Sequence, residues 1–161
     1  MNQKANGFSL TELLIVMAVL MIITAMAIPN LVRSRIAANQ ASAVASVRLV
    51  TVAEVAYSTT FNNGFSSTLS SLGPSATPAA TPTSTTAILI DSILATGAKS
   101  GYSFTYVPGP TDSTGRVNSY RVIAVPLNNW TGTFSYYSDQ SGVIRENSNT
   151  TAGSTDSPIG G

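Results

Sequence analysis

Hydrophobic positions along this chain follow three successive patterns. From Phe8 to Ile28 the sequence reads "FSLTELLIVMAVLMIITAMAI", with polar residues only at Ser9, Thr11, Glu12 and Thr24. As a helix rising about 1.5 Å per residue this run reaches ~30 Å, the thickness of a hydrocarbon core. From Val32 the run gives way to a stripe: Val32, Ile36, Ala43, Val47, Val50, Tyr57 and Phe61 recur at spacings of 4, 7, 4, 3, 7 and 4. That period is near 3.6 and predicts an amphipathic continuation of the same helix, stopping at the turn residues Asn62-Asn63-Gly64. Its other faces carry small residues, Ala37, Ala38, Ala41, Ser42, Ala45 and Ser46, which let further helices approach closely.

Residues 66–86, "SSTLSSLGPSATPAATPTSTT", are uncharged and Ser/Thr/Pro-rich, a composition that predicts a solvent-exposed loop without its own core. Thr86 to Gly97, "TAILIDSILATG", predicts a short helix docking on a sheet through Ile88, Leu89, Ile93 and Leu94. The period then changes to 2. Tyr102, Phe104 and Tyr106 alternate with Ser103 and Thr105, and "YRVIAVP" (120–126), "TFSYYS" (133–138) and "GVIRE" (142–146) follow, the last two joined by Asp139-Gln140-Ser141-Gly142. This predicts an antiparallel meander of three or four strands. The polar tail from Asn147 to Gly161 reads as loose. The class is therefore α+β, one long N-terminal helix packed on a small antiparallel sheet.

Composition narrows the chemistry. Charged residues make up 9% of the chain, far below the ~25% of ordinary soluble domains. There is no histidine and no cysteine, which removes the usual neutral-pH acid/base group, the commonest metal ligands and any disulfide. Asp112, Asp139 and Asp156 are scattered, whereas a hard cation wants 6 to 8 oxygens. Ser100 beside Lys99 is the nearest approach to a nucleophile and lacks a motif around it. The chain therefore reads as neither an enzyme nor a cofactor binder. A net charge of +1 gives no footprint for nucleic acid. Tyr102, Tyr106, Tyr120, Tyr136, Tyr137 and Trp130 are assigned to core packing by their alternation on strands.

One residue breaks the apolar run. Between Lys4 and Arg33 the only ionisable side chain is Glu12, and a charge at the centre of a bilayer costs at least ~2.5 kcal/mol unless it is partnered. A secretory signal peptide, with Lys4 as its charged region and cleavage after Ala25-Met26-Ala27, would release a soluble protein and leave Glu12 without a purpose. Gly7-Phe8-Ser9-Leu10-Thr11-Glu12-Leu13-Leu14 instead resembles the processing site of type IV pilins and type II secretion pseudopilins, and Pro29 falls where those families commonly carry a proline.

The resemblance implies cleavage by a prepilin peptidase between Gly7 and Phe8, N-methylation of Phe8, and a role for Glu12 in assembly through the new amine of Phe8 on a neighbouring subunit. Phe8 and Glu12 are also i and i+4 on one helical face, so a pair within one chain stays open. Pro29 cannot donate to the carbonyl of Ala25 and predicts a helix kink; with Asn30, Arg33 and Arg35 just beyond it, it also marks a membrane exit. The implied organisation is a leader (1–7), a transmembrane and filament-core helix (8–29), its amphipathic continuation (30–61) and a globular head (62–161), together a pilin fold.

Implied partners are further copies in a helical filament, prepilin peptidase, an inner-membrane assembly platform, and the lipid bilayer before assembly. Two destinations follow: an extracellular type IV pilus for adhesion, twitching motility or DNA uptake, reached from a single-pass inner-membrane store, and a periplasmic pseudopilus for protein export. The orientation, leader inside and head outside, comes from the resemblance, because Arg33 and Arg35 lie on the side that the positive-inside rule disfavours. The chain departs from the pattern in two ways. It has no cysteine pair to staple the C-terminal loop, and no acidic cluster like the calcium site of the major pseudopilin.

Overall fold

The computed structural model describes residues 8–75 and 81–160. The leader with Gly7, and residues 76–80 of the Ser/Thr/Pro stretch, lie outside the described residues. Helix α1 spans Leu10–Phe61, a 3₁₀ turn spans Leu69–Leu72, and helix α2 spans Ser92–Ala95. The strands are β1 (Ala98–Lys99), β2 (Tyr102–Pro108), β3 (Tyr120–Pro126), β4 (Ser135–Asp139) and β5 (Arg145–Asn147). Two compact units result, Met1–Arg35 and Ile36–Gly161, and α1 contributes to both.

In the first unit every described residue from Phe8 to Leu31 is exposed. The one mid-span hydroxyl, Thr24 Oγ1, donates back to Leu20 O (2.9 Å) and Met21 O (3.0 Å). That bond satisfies a polar group inside the helix and leaves the outer surface apolar. Pro29 stands within α1, which continues past it to Phe61.

In the second unit α1 buries Ala43, Ser46, Val47, Val50, Ala53, Glu54 and Tyr57, one face at helical period. These share a core with Tyr102 and Phe104 of β2, Val122 and Ala124 of β3, and Tyr136 of β4. All neighbouring strands are antiparallel in the order β1-β2-β3-β4-β5. Register fixes which side chains point inward: Phe104 faces Ala124, Tyr106 faces Val122, and Ala124 faces Tyr136. Tyr106 and Tyr120 stack at 5.8 Å and 14°, and Phe65 meets Tyr120 edge-on at 4.8 Å. Of the strand tyrosines, Tyr102 and Tyr136 belong to this core, Tyr120 and Tyr137 are buried and Tyr106 is half-buried, whereas Trp130, on the β3–β4 connection, is 71% exposed.

Five strands form where the sequence predicts three or four. β1 has two residues, too few to show a period, and it is set by its hairpin: Ser100 (φ 50) and Gly101 (φ 75) are both left-handed, as a two-residue type I′ turn demands. A Cβ on Gly101 would also collide with Thr131. At the far edge β5 starts at Arg145 rather than Gly142, because Gly142 (φ 75) still belongs to the turn.

Three further expectations are corrected. The helix predicted over 86–97 shrinks to Ser92–Ala95: Ile88 is left-handed at φ 57, and Ala87, Ile88 and Leu89 donate instead to Ser71, Gly73 and Leu72 carbonyls at 2.8, 3.1 and 2.7 Å. The predicted exposed loop is not exposed at its start, since Ser66, Leu69, Ser71 and Leu72 are buried; two leucines that join the core with Ala87, Ile90 and Leu94 outweigh a polar average. The tail is not loose. Glu146 N donates to Ser157 O and Ile159 N to Ile144 O, each at 3.0 Å, while Ala152 N donates to Ser135 Oγ at 2.8 Å. It covers the sheet edge that β5 would otherwise present.

Leu72 gives a direct test, because it is wholly buried. Leu72→Ala should destabilise the Ile36–Gly161 unit by about 2–5 kcal/mol, read by thermal or denaturant unfolding of the full chain in detergent. A change within about 0.5 kcal/mol, normal for an exposed site, would return this segment to a solvated loop.

Candidate processing and assembly site

The sequence places four residues at the N-terminal site, and the structure describes three of them: Phe8, Glu12 and Pro29; Gly7 lies outside the described residues. Phe8 is 87% exposed just before the helix. Ser9 precedes the first helical residue, its carbonyl accepts from Leu13 N at 3.2 Å, and its N–H donates to Glu12 Oε2 at 2.9 Å. Ser9 Oγ lies 2.7 Å from Thr11 Oγ1. The Ser-x-x-Glu spacing is that of a capping box, of which the glutamate half is formed here.

Glu12 therefore has a partner that the charge pattern did not reveal. In the uncleaved chain Phe8 N is a peptide nitrogen, so no ammonium faces the carboxylate, and Ser9 N–H receives it instead. The acidic side chain also lies in the first turn, where the positive end of the helix dipole favours it. Cleavage between Gly7 and Phe8 would place an ammonium with an ordinary pKa of about 7.7–8.0 within reach of the same turn. The signal for the capping role was in the sequence, in Ser9-Leu10-Thr11-Glu12.

Each of the scattered aspartates serves its own loop. Asp112 Oδ1 accepts from Thr114 Oγ1 (2.6 Å), Thr114 N (2.8 Å) and Arg116 N (3.0 Å), and Asn118 Nδ2 donates to Oδ2 at 3.1 Å. These bonds, the Thr114 hydroxyl first, hold its carboxyl well below the usual range. Asp156 accepts from Asn147 Nδ2 (2.9 Å) and Gly153 N (2.8 Å), and Asp139 accepts from Ser141 N at 2.9 Å. Among the described residues no three or more His, Cys, Asp or Glu side chains converge. Ser100 is a turn residue, bonded through its hydroxyl to Ser42 Oγ at 2.9 Å.

A second glutamate escaped notice. Glu54 is 0% exposed and accepts from Ser66 N at 2.8 Å and Ser66 Oγ at 2.5 Å. Burial pushes its carboxyl up from the ordinary range, against the opposing pull of the Ser66 bonds. The spacing of seven from Val50 to Tyr57 pointed to it, because position 54 is the missing step of four and three in the stripe. Asn39 and Gln40 fill the matching gap from Ile36 to Ala43, donating to Thr131 O (3.0 Å) and Thr133 Oγ1 (2.8 Å).

Residues 2–28 match the family model of the prokaryotic N-terminal methylation motif, the hallmark of type IV pilin and pseudopilin precursors. The match runs from Asn2 through the Gly7-Phe8 junction and Glu12 to the end of the apolar run at Ile28. No curated protein and no solved structure matches the chain.

The capping bond separates two substitutions of Glu12. Glutamine can still accept from Ser9 N–H, so Glu12→Gln should keep Ser9 amide exchange in the uncleaved chain within about twofold of the parent. Glu12→Val removes the acceptor and should accelerate it roughly fivefold, the equivalent of a cap worth ~1 kcal/mol. Amide exchange followed by NMR in detergent micelles checks both; equal exchange in all three chains would show that the Glu12 bond does not hold the helix start.

Proposed function

We propose that this chain, a precursor of the pilin and pseudopilin class, is the structural subunit of a bacterial type IV filament. The observation that carries the reading is the methylation motif over residues 2–28, in which a lone carboxylate stands near the start of an apolar helix. A prepilin peptidase cuts between Gly7 and Phe8, Phe8 is N-methylated, and residues 8–29 store the subunit in the inner membrane. Glu12 then pairs with the Phe8 ammonium of a neighbour as an assembly platform moves the subunit into the filament core. The attraction strengthens as water and its high dielectric are left behind.

Two features support polymerisation over a monomeric membrane protein. No side chain of the chain's own second unit is needed to explain the exposed surface from Phe8 to Leu31; lipid covers it first, and other copies of the same helix afterwards. Loss of Lys4 with the leader also takes one from the eight Lys and Arg side chains and leaves them equal in number to the seven Asp and Glu. Identical subunits then pack with little net repulsion. Pro29, which offers no N–H to Ala25, loosens the helix where membrane and head portions join.

A surface pilus, used for adhesion, twitching motility or DNA uptake, is favoured over a periplasmic pseudopilus because Asp112, Asp139 and Asp156 are each spent on their own turns. The pseudopilus remains the second reading, favoured by the lack of any cysteine to staple the C-terminal region.

Sheared surface material analysed by electron microscopy and N-terminal mass spectrometry tests the proposal. The expected result is filaments containing a chain that begins at N-methylated Phe8. A mature terminus at Ile28 would make the apolar run a discarded signal peptide, and a processed chain confined to the periplasm would favour the pseudopilus.

A further inference from the structure

Glu54 makes a second, independent use of a carboxylate. It projects from α1 into a site closed by the segment that leaves the helix. Ser66 N and Ser66 Oγ donate to it, at 2.8 and 2.5 Å, and the Tyr106 hydroxyl is a further hydrogen-bonding neighbour. A carboxylate offers about four lone-pair positions, and among the described residues no lysine or arginine nitrogen lies within 4.0 Å of it, the Lys99–Asp91 pair being the one ion pair there. Taking an isolated carboxylate out of water without a cation is strongly unfavourable.

The remaining neighbours cannot supply the missing charge. Tyr106 of β2, Tyr120 of β3 and Tyr57 of α1 itself are the titratable groups whose electrostatics it shares. Burial pushes all three hydroxyls up, Tyr120 to about 12, so they stay neutral. Tyr106 OH donates to Ser66 O at 2.9 Å and also borders the Glu54 carboxyl, while Tyr57 OH donates to Ser84 O at 2.8 Å. Arg116, on the β2–β3 connection, directs Nη2 to Asn62 Oδ1 at 3.3 Å.

Proton counting points the same way. Ser66 Oγ has one hydrogen but lies within bonding distance of both Glu54 Oε1 (2.5 Å) and Thr68 O (3.1 Å). An ionised Glu54 would claim that hydrogen, and Thr68 O would keep its bond from Ser71 N at 3.2 Å. A protonated Glu54 instead donates from Oε1 to Ser66 Oγ, which passes its own hydrogen to Thr68 O, while Oε2 still accepts from Ser66 N. Only the second arrangement leaves no buried charge.

We propose that Glu54 acts as a proton-dependent clamp, fastening the end of α1 to the segment around Ser66. Removing its proton leaves a buried anion that only incoming water can stabilise, and water enters by lifting that segment. The same segment carries Phe65, whose N–H donates to Val117 O at 2.7 Å, and runs into the buried Leu69 and Leu72. Loss of the clamp therefore loosens one side of the core. The folded form holds a proton that the unfolded chain has lost above its ordinary carboxyl value near 4.5. The stabilisation is complete below that value and disappears as pH rises through the folded-state midpoint.

The chain has three glutamates, Glu12, Glu54 and Glu146, so the full chain labelled with ¹³C at glutamate Cδ in detergent micelles gives a countable NMR titration. One carboxyl signal is expected to titrate above the other two and above the ordinary glutamate range. On its ionisation, Ser66 amide exchange, corrected for base catalysis, should accelerate on the order of tenfold relative to Glu54→Gln, which keeps the shape without a titrating proton. Ionisation of all three carboxyls by about pH 5 would overturn the proposal, as would a Ser66 amide indifferent to that ionisation. Should Glu54→Gln fail to fold, the wild-type carboxyl and Ser66 titrations decide alone.

Discussion

Val47 and Val50 of α1 are wholly enclosed and share one core with Tyr102, Val122 and Ala124 of the sheet, and the organisation of the second unit depends on that burial. The strands are two to seven residues long, too short to form a stable sheet without a covered apolar face. The helix supplies the cover and receives in exchange a place for its stripe. Val52 and Val55, a short rotation away, stay 60% and 55% exposed, so the stripe is narrow and its edges are set by the width of the sheet. From Leu13 to Ile28 the same helix is exposed and, apart from Thr24, apolar on every side, as expected of a segment whose solvent is lipid or other helices.

The two glutamates of α1 show how differently one side chain can be accommodated. Glu12 stands at an exposed helix start, where an N–H and the helix dipole are both available at no packing cost, and its bond to Ser9 leaves it free to exchange partners. Glu54 stands where no water and no cation reach it, and its bonds tie it to the chain 12 residues on. The first is suited to a change of partner, the second to holding one conformation. What separates them is the surrounding dielectric.

The α+β class, the long helix and the antiparallel order were legible because period 3.6 and period 2 are carried by apolar residues that have to be buried together. Illegible were the features in which polar atoms decide. Leu69 and Leu72 are hidden within a Ser/Thr/Pro composition, and the turn that carries them is held by bonds from Ala87 N to Ser71 O and from Leu89 N and Ile90 N to Leu72 O that no local pattern encodes. Glu54, Asn39 and Gln40 occupy stripe positions yet are polar, and an apolar count passes over them. The N-terminal site was legible by motif, but the Ser9 bond to Glu12 was not, because a carboxylate in an apolar run is conspicuous for its charge while a capping box there is an ordinary helix start. Trp130 was misjudged because it lies past the end of β3, where alternation no longer carries information.

The fastening of the C-terminal tail has a practical corollary. Arg145 Nη1 donates to Asp156 O at 2.7 Å, Asn147 Nδ2 reaches Asp156 Oδ1 at 2.9 Å, and Ser135 Oγ donates to Thr150 O at 2.7 Å. With no cysteine in the chain, this closure is made wholly of reversible hydrogen bonds. The fold is consequently indifferent to redox poise: it needs neither a thiol oxidase nor an isomerase, and can form equally well in reducing and oxidising compartments.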